Sequence, residues 1–267
     1  MVKFMTEKLT LVAIFAHPDD EAFGTGGTLI KYAREGVAVH LIMATGGEAG
    51  RVANPNVAAT LPFSLLREQE LRRACQYYSL AQLHMLGYLD GQTAIVPPAE
   101  PAFKIVKLLR QIKPQVVMSF GPEGVYGHFD HLVVHRWATA AVELAADPAK
   151  WPEAGPAHQV RKFYHRAIPQ AQLDGREPVD MGGVPFPFAG YPPEQITTTI
   201  DVREVAEIKR QAICCHLSQI SPDMPLLHPD FNLLENEWFW QETYILARAH
   251  GLPPITSMET DLFAGVR

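Results

Sequence analysis

Cysteine is scarce: Cys75, Cys214 and Cys215 are the only three in 267 residues. That is too few for a disulfide framework in a chain this long. Two of them are sequence neighbours, a poor geometry for pairing with each other. A reduced compartment fits, and the expected location is cytoplasmic. Long apolar runs are also missing. The N-terminal one, residues 9–16, is broken by Thr10 and ends at a charged cluster. It is too short to span a bilayer and has no small-residue cleavage site, so no membrane partner is expected. Nor is there an excess of base. Lys plus Arg is 23 against 29 Asp plus Glu, a formal net charge of −6, which argues against nucleic acid as a ligand. Several catalytic signatures are absent too. No P-loop occurs. The glycines of residues 24–27 (GTGG) meet Leu29 where a dinucleotide fingerprint needs its last glycine. Residues 117–121 (VMSFG) lack the first glycine of a serine nucleophile elbow.

What is present is material for a core. Hydrophobic residues make up 47% and charged residues 19%, a globular composition with room for one large domain or two small ones. Residues 11–16, 37–44 and 115–120 are continuous apolar runs, as expected of strands buried on both faces. A short strand is expected at 83–86. Helical patterns fall between them at 26–35, 63–78, 101–112 and 131–146. Strand–helix alternation of this kind predicts an α/β fold, a mostly parallel sheet with helices on both faces. Further on, 162–168 and 195–200 read as strands, and 202–218 and 237–250 as helices. Residues 169–193 hold six prolines and four glycines, which reads as a surface excursion or part of a lid. The expectation is one domain over 1–267, with a core at 10–220 and a C-terminal extension at 221–267.

In open parallel sheets, ligands bind beyond the carboxyl ends of the strands. The first buried run is followed by His17-Pro18-Asp19-Asp20-Glu21, the second by Thr45-Gly46-Gly47-Glu48, and the third by residues 121–131, which end in His128-Phe129-Asp130-His131. Carboxylates this close raise one another's cost of ionisation unless a cation lies among them. A His and an Asp from the first turn, with a second His from elsewhere, make a three-ligand set with an open fourth position, the pattern of catalytic zinc. The competing account is a surface turn in which Asp19 or Asp20 caps the next helix. His131 and His135 are four apart on one helix face, but no Glu at 132 completes a His-Glu-x-x-His motif, so His135 reads as a packed histidine.

The pair of motifs, Ala16-His17-Pro18-Asp19-Asp20-Glu21 and His128-x-Asp130-His131, resembles the PIG-L or LmbE-like family. The similarity runs through Thr45–Glu48, Arg67-Glu68-Gln69-Glu70, Leu86–Asp90 and His216-Leu217-Ser218-Gln219. The resemblance implies a Rossmann-like fold and a zinc-dependent hydrolase acting on N-acetylglucosamine-type sugars. It implies His17, Asp20 and His131 as metal ligands and Asp19 as general base. It implies His128, oriented by Asp130, as the group that stabilises the oxyanion or protonates the leaving amine, with Tyr126 nearby. Arg67, Asp90 and Glu48 are implied to grip the sugar, with His216 near the same pocket. Phe129 departs from the pattern, since many members have Pro there, and this bears on the loop's shape.

These residues fit metal-assisted amide hydrolysis. The expected cofactor is Zn2+, with Fe2+ an alternative because a His/His/Asp set selects weakly between them. The expected partner is a small N-acetylated sugar, and the resemblance implies a homo-oligomer. Family substrates range over inositol and malate glycosides, chitin fragments and antibiotic intermediates. Two rivals stand beside this reading: a metal-dependent amidase or phosphoesterase on another substrate, and a non-catalytic sugar-binding protein. A mere binder would have no use for Asp19.

Overall fold

The computed structural model describes residues 8–57, 61–180 and 184–267. Strand β1 (Thr10–Phe15) lies inside the sheet, every residue buried. It pairs in parallel with β2 (Ala38–Thr45) on one side and β4 (Val116–Phe120) on the other, Leu11 standing opposite both Val39 and Val116. Strand β3 (Gln82–Tyr88) extends the β2 edge and β5 (Lys162–Ala167) the β4 edge, both parallel. The full order is β3-β2-β1-β4-β5-β9-β8, where β8 is Thr198–Asp201 and β9 is Gln241–Ala249. Both faces of β1, β2 and β4 are covered, which is why their sequences are continuous rather than alternating.

Helices α1 (Asp20–Arg34) and α2 (Phe63–Tyr78) pack together on one face with α6 (Ala206–Ile213). Helix α3 (Ala99–Ile112) packs against α5 (Phe129–Ala145) on the other. Right-handed crossovers demand this arrangement, because the chain runs outward from β1 to β3 and then returns to start the opposite half at β4. The order therefore reverses between β1 and β4, and the loops after these two strands diverge. That divergence opens the crevice in which α/β sheets bind ligands. The expected fold class holds, a mostly parallel sheet with helices on both faces.

One expectation is corrected. Residues 237–250 form a four-residue helix α7 (Glu237–Trp240) followed by strand β9, not one helix. Strand β9 runs antiparallel between β5 and β8, with Tyr164 opposite Leu246 and Ile200 opposite Glu242. The run Thr243-Tyr244-Ile245 is β-branched and aromatic, which suits a pleated, half-buried surface. Within the extension at 221–267, Phe239, Tyr244, Leu262 and Phe263 are wholly buried in the core.

The Pro/Gly-rich stretch folds back beside the crevice. Its described parts include a two-stranded ribbon, β6 (Val179–Asp180) with β7 (Pro185–Phe186). Ala189 N–H donates to the Val125 carbonyl, and Phe188 meets Tyr126 edge-on. Residues 181–183 of the expected excursion lie outside the described residues. The glycines of α1 allow close approach, though to a loop and a side chain rather than to the sheet. A Cβ on Gly27 would stand 2.5 Å from a Val202 methyl, and one on Gly24 would strike the Arg166 guanidinium.

Candidate active site

The chain leaves β1 and turns sharply within three residues. His17 N–H donates to Asp20 Oδ2 at 2.7 Å, and Asp20 N–H donates back to the His17 carbonyl at 3.1 Å. The turn forces Asp19 to φ 111°, ψ −27°. A non-glycine residue rarely adopts this left-handed conformation, at a cost of about 1–3 kcal/mol. Asp20 and Glu21 then open α1, where their charge suits the helix dipole.

From β4 the chain passes through a distorted turn, α4 (Gly124–Gly127), with Val125 at φ 71°. It enters α5 with His128 as the N-cap. His131 in the first turn of α5 lies flat on Phe120, ring centroids 4.1 Å apart. Its Nδ1–H donates to the Gly124 carbonyl at 3.1 Å. A carbonyl can only accept, so the proton is on Nδ1 and the Nε2 lone pair is free. His17 is fixed in the opposite tautomer. Its Nε2–H is shared by Asp130 Oδ2 at 3.1 Å and Asp90 Oδ1 at 3.0 Å, which leaves the Nδ1 lone pair free.

The two free lone pairs and the Asp20 carboxylate converge. His17 Nδ1 stands 3.4 Å from Asp20 Oδ2, His131 Nε2 3.1 Å from Asp20 Oδ1, and the two nitrogens are 3.3 Å apart. Ligands bound tetrahedrally at about 2.0–2.1 Å are about 3.3–3.4 Å from one another. The two distances to Asp20 end on different oxygens of its carboxylate, so that carboxylate stands beside both nitrogens, and the three side chains together could hold a divalent ion of zinc size. Two other clusters lie close, His17 with His128 and His131, which shares both imidazoles of this set, and His17 with Asp90 and Asp130. The second consumes the His17 nitrogen that already carries a proton. Asp130 is also satisfied elsewhere: Gly91 N–H donates to Oδ2 at 2.7 Å and the Thr93 hydroxyl to Oδ1 at 2.5 Å. Asp130 and Asp90 thus orient the His17 ring and fix which of its nitrogens carries the proton.

This corrects one expected role. Asp130 does not orient His128 through its carboxylate. Its backbone N–H donates to His128 Nδ1 at 3.2 Å, while the carboxylate serves His17. Burial pushes the His128 imidazole down to about 4, helped by the neighbouring His17 and His131 rings. For Asp130, burial opposes ionisation, but the bonds from His17, Thr93 and Gly91 outweigh it and hold the carboxyl below its usual range. In Asp20, burial is likewise overcome, by His131 and then His17. Burial works against a charged His17, yet without an ion its bonds to Asp130, Asp20 and Asp90 raise it above the ordinary imidazole range, so an ion at Nδ1 would take the place of a proton.

Asp19 is different. Burial pushes its carboxyl up to about 7; Arg67 opposes this and the Asp20 charge adds to it. Arg67 NH2 donates to Asp19 Oδ2 at 3.1 Å and to the Pro18 carbonyl, and NH1 donates to the Gly47 carbonyl at 2.8 Å. This side chain, expected to grip a sugar, clamps the loops after β1 and β2 together. Burial raises the Tyr126 phenol above its ordinary range, with Asp20 and Asp19 adding to the shift.

Of the site residues expected from the sequence, all except Glu48, His131 and His216 line one cavity of about 500 Å³, with Ala49, Gly50, Arg51, Gly91, Phe129 and Gln219 completing the wall. Glu48 stands behind Asp90 and accepts its backbone N–H at 3.1 Å. His216 is wholly buried and turned to Glu21 Oε1 at 2.7 Å. His135, read as packed, donates Nδ1–H to the Phe120 carbonyl. Sequence reasoning gave no role to Arg51 or Gln219. Gln219 stood in a recognised motif, whereas nothing marked Arg51.

Residues 12–142 match the family model described as PIG-L: GlcNAc-PI de-N-acetylase. A 1D-myo-inositol 2-acetamido-2-deoxy-alpha-D-glucopyranoside deacetylase of Geodermatophilus obscurus is 34% identical over 294 residues, covering 98% of this chain and 99% of that one. The chain belongs to the PIG-L family. Another relative, a mycothiol S-conjugate amidase of Streptomyces coelicolor, is 29% identical over 301 residues, covering 98% of this chain and 99% of that one. Among solved structures, N,N'-diacetylchitobiose deacetylase from Pyrococcus horikoshii aligns with a TM-score of 0.65 at 19% identity, over 88% of this chain and 82% of that one. At that identity the likeness establishes the fold. The PIG-L segment contains His17, Asp19, Asp20, His128 and His131. His216 and Gln219 lie beyond it and reach the site only through the fold.

Proposed function

We propose that this chain is a metal-dependent N-deacetylase that removes acetyl from an N-acetylglucosamine conjugate, releasing acetate and a free amine. One observation carries the reading. Two imidazole lone pairs and the Asp20 carboxylate meet within 3.1–3.4 Å of one another, beside a cavity whose wall includes the Asp19 carboxyl, raised to about 7. His17, Asp20 and His131 would hold the ion, zinc or ferrous iron. Such an ion supplies a Lewis acid that polarises the amide carbonyl and makes water more acidic.

The chain's own residues do the rest. Asp19 has an affinity for protons near neutrality, so it can take one from water and pass it to the departing amine. Tyr126 stays protonated and offers its O–H to the developing oxyanion. His128 is held neutral; its Nδ1 accepts from a backbone N–H, so Nε2 bears the proton on a ring that lines the cavity. A neutral imidazole in this state donates without needing charge. Asp90, Arg51 and Gln219 line the wall that would face the sugar hydroxyls; Arg67, in the same wall, ties the loops after β1 and β2 together, and Glu48 holds Asp90 from behind. The inositol-linked substrate of the relatives points to a glucosamine conjugate.

An acetate-release screen over N-acetylated sugars, with bound metal measured on the same sample, tests the reading. Asp19→Asn is expected to keep its metal and lose about 10²- to 10⁴-fold in turnover, whereas His17→Ala loses the metal. Near-normal turnover by the Asp19 variant would overturn the role given to it. The amidase relative favours a second reading, in which the same machinery cleaves a larger acyl group from the same amine; release of that acid in place of acetate identifies it.

A further inference from the structure

A buried line of hydrogen bonds reaches Asp19 from the far side of α1. Glu21 is wholly buried in the first turn of that helix. Its Oε2 accepts the backbone N–H of Asp19 at 2.9 Å. Its Oε1 accepts from His216 Nε2 at 2.7 Å and from the Tyr78 hydroxyl at 3.2 Å. We infer that His216 is a positioning residue for the reaction. Acting through Glu21, it holds the Asp19 peptide in its left-handed conformation and so aims the Asp19 carboxylate. This rests on the deacetylase reading above.

Three features support it. The first is the backbone. Asp19 at φ 111° persists only where its surroundings over-determine it. Glu21 secures its N–H, Ala22 N–H secures its carbonyl at 2.9 Å, and Arg67 holds the preceding carbonyl and the carboxylate. The second is the histidine itself. His216 Nδ1 has no hydrogen-bond partner among the described residues, so the polar contact of this wholly buried ring is with Glu21. A carboxylate is the acceptor there, so Nε2 bears the proton whether the ring is neutral or charged. The third is the anchor. Ser218 N–H and Oγ donate to Glu70 at 2.8 and 2.6 Å. This pins the segment after α6 to α2, so His216 presents a fixed donor, and Gln219 of the same turn reaches the cavity wall. Without the His216 donor, Glu21 keeps Tyr78 but is free to rotate, and the peptide it holds can relax away from φ 111°. Misplacing a reacting group by about 1 Å costs about 100-fold in rate.

Two substitutions of similar polarity test the idea. Gln places its amide N–H near the position of a histidine Nε2, whereas Asn reaches only the position of Nδ1. His216→Asn should lower kcat by about 10- to 100-fold, with KM and bound metal unchanged per folded molecule. His216→Gln should restore kcat to within about threefold of the parent. Equal kcat in the two variants would overturn the inference, as would a loss confined to KM. Should His216→Asn fail to fold, His216→Leu removes the same donor from Glu21 Oε1 while keeping the buried site filled. A fall in kcat at constant KM then supports the inference, and an unchanged kcat overturns it. Asp19→Asn separates the two failures. If it remains fully active, the deacetylase roles fail; if it is inactive while the His216 pair behave alike, only the positioning role fails.

Discussion

Removing the Asp130 carboxylate should weaken metal binding by an amount the geometry limits. Asp130 accepts three hydrogen bonds, from His17 Nε2, Gly91 N and Thr93 Oγ1. Asp130→Ala deletes all three and leaves Asp90 Oδ1, at 3.0 Å, to hold the His17 tautomer alone. Loss of an outer carboxylate behind a ligand histidine costs about 10- to 100-fold in metal affinity, or about 1.4–2.8 kcal/mol. Asp130→Asn should be milder. The contacts divide conveniently: His17 and Gly91 share Oδ2, while Thr93 faces Oδ1. An asparagine can put its carbonyl oxygen toward the first pair and its amide toward the hydroxyl, which can turn to accept. Only the charge is then lost. A charge-assisted bond exceeds a neutral one by about 1 kcal/mol, so the weakening should be about fivefold. Competition against a chromophoric chelator measures both affinities directly. If Asp130→Ala bound metal as tightly as the parent, or if the two variants weakened equally, the assignment of Asp130 to His17 would be wrong.

Two further outcomes follow from the same structure. The Asp19 carboxyl is raised from 3.8 to about 7 in the folded, metal-free protein. The folded state therefore holds a proton that the unfolded chain has released, and this contribution to stability is full below about pH 4 and lost as pH rises through 7. Asp19→Asn cannot lose it, so the Tm of that variant relative to the parent should rise between pH 4 and 7 in the metal-free protein. A difference that stays flat across this window contradicts the shift. Gly27→Ala gains helix propensity but drives its methyl to 2.5 Å from Val202. Overpacking costs about 1–3 kcal/mol against a gain of about 1 kcal/mol, so urea unfolding should show a net loss of stability, and a stabilised variant would show that Val202 yields freely.

Much of this protein was legible before folding. The runs that became β1, β2 and β4 are apolar throughout because both of their faces are covered, a property visible in one dimension. The two histidine motifs stand just past the ends of β1 and β4, so strand position alone put them on one edge of the sheet. Strand β9 was misread because Glu237–Ala249 shows neither strict alternation nor strong helical periodicity, and its state is settled by pairing with β5 and β8, far away in sequence. The roles within the site were hidden for a related reason. Whether the Asp130 carboxylate turns to His128, two residues away, or to His17, 113 residues away, depends on which side of α5 meets β1. Arg67 and His216 likewise carry no local mark of their partners, the Gly47 and Pro18 carbonyls and Glu21. Sequence alone determined the chemistry available and the edge where it gathers, since residue type and strand order are local. Only the tertiary structure decided which polar group satisfies which, because buried hydrogen bonds are short-ranged and form between whatever groups the packed helices bring together.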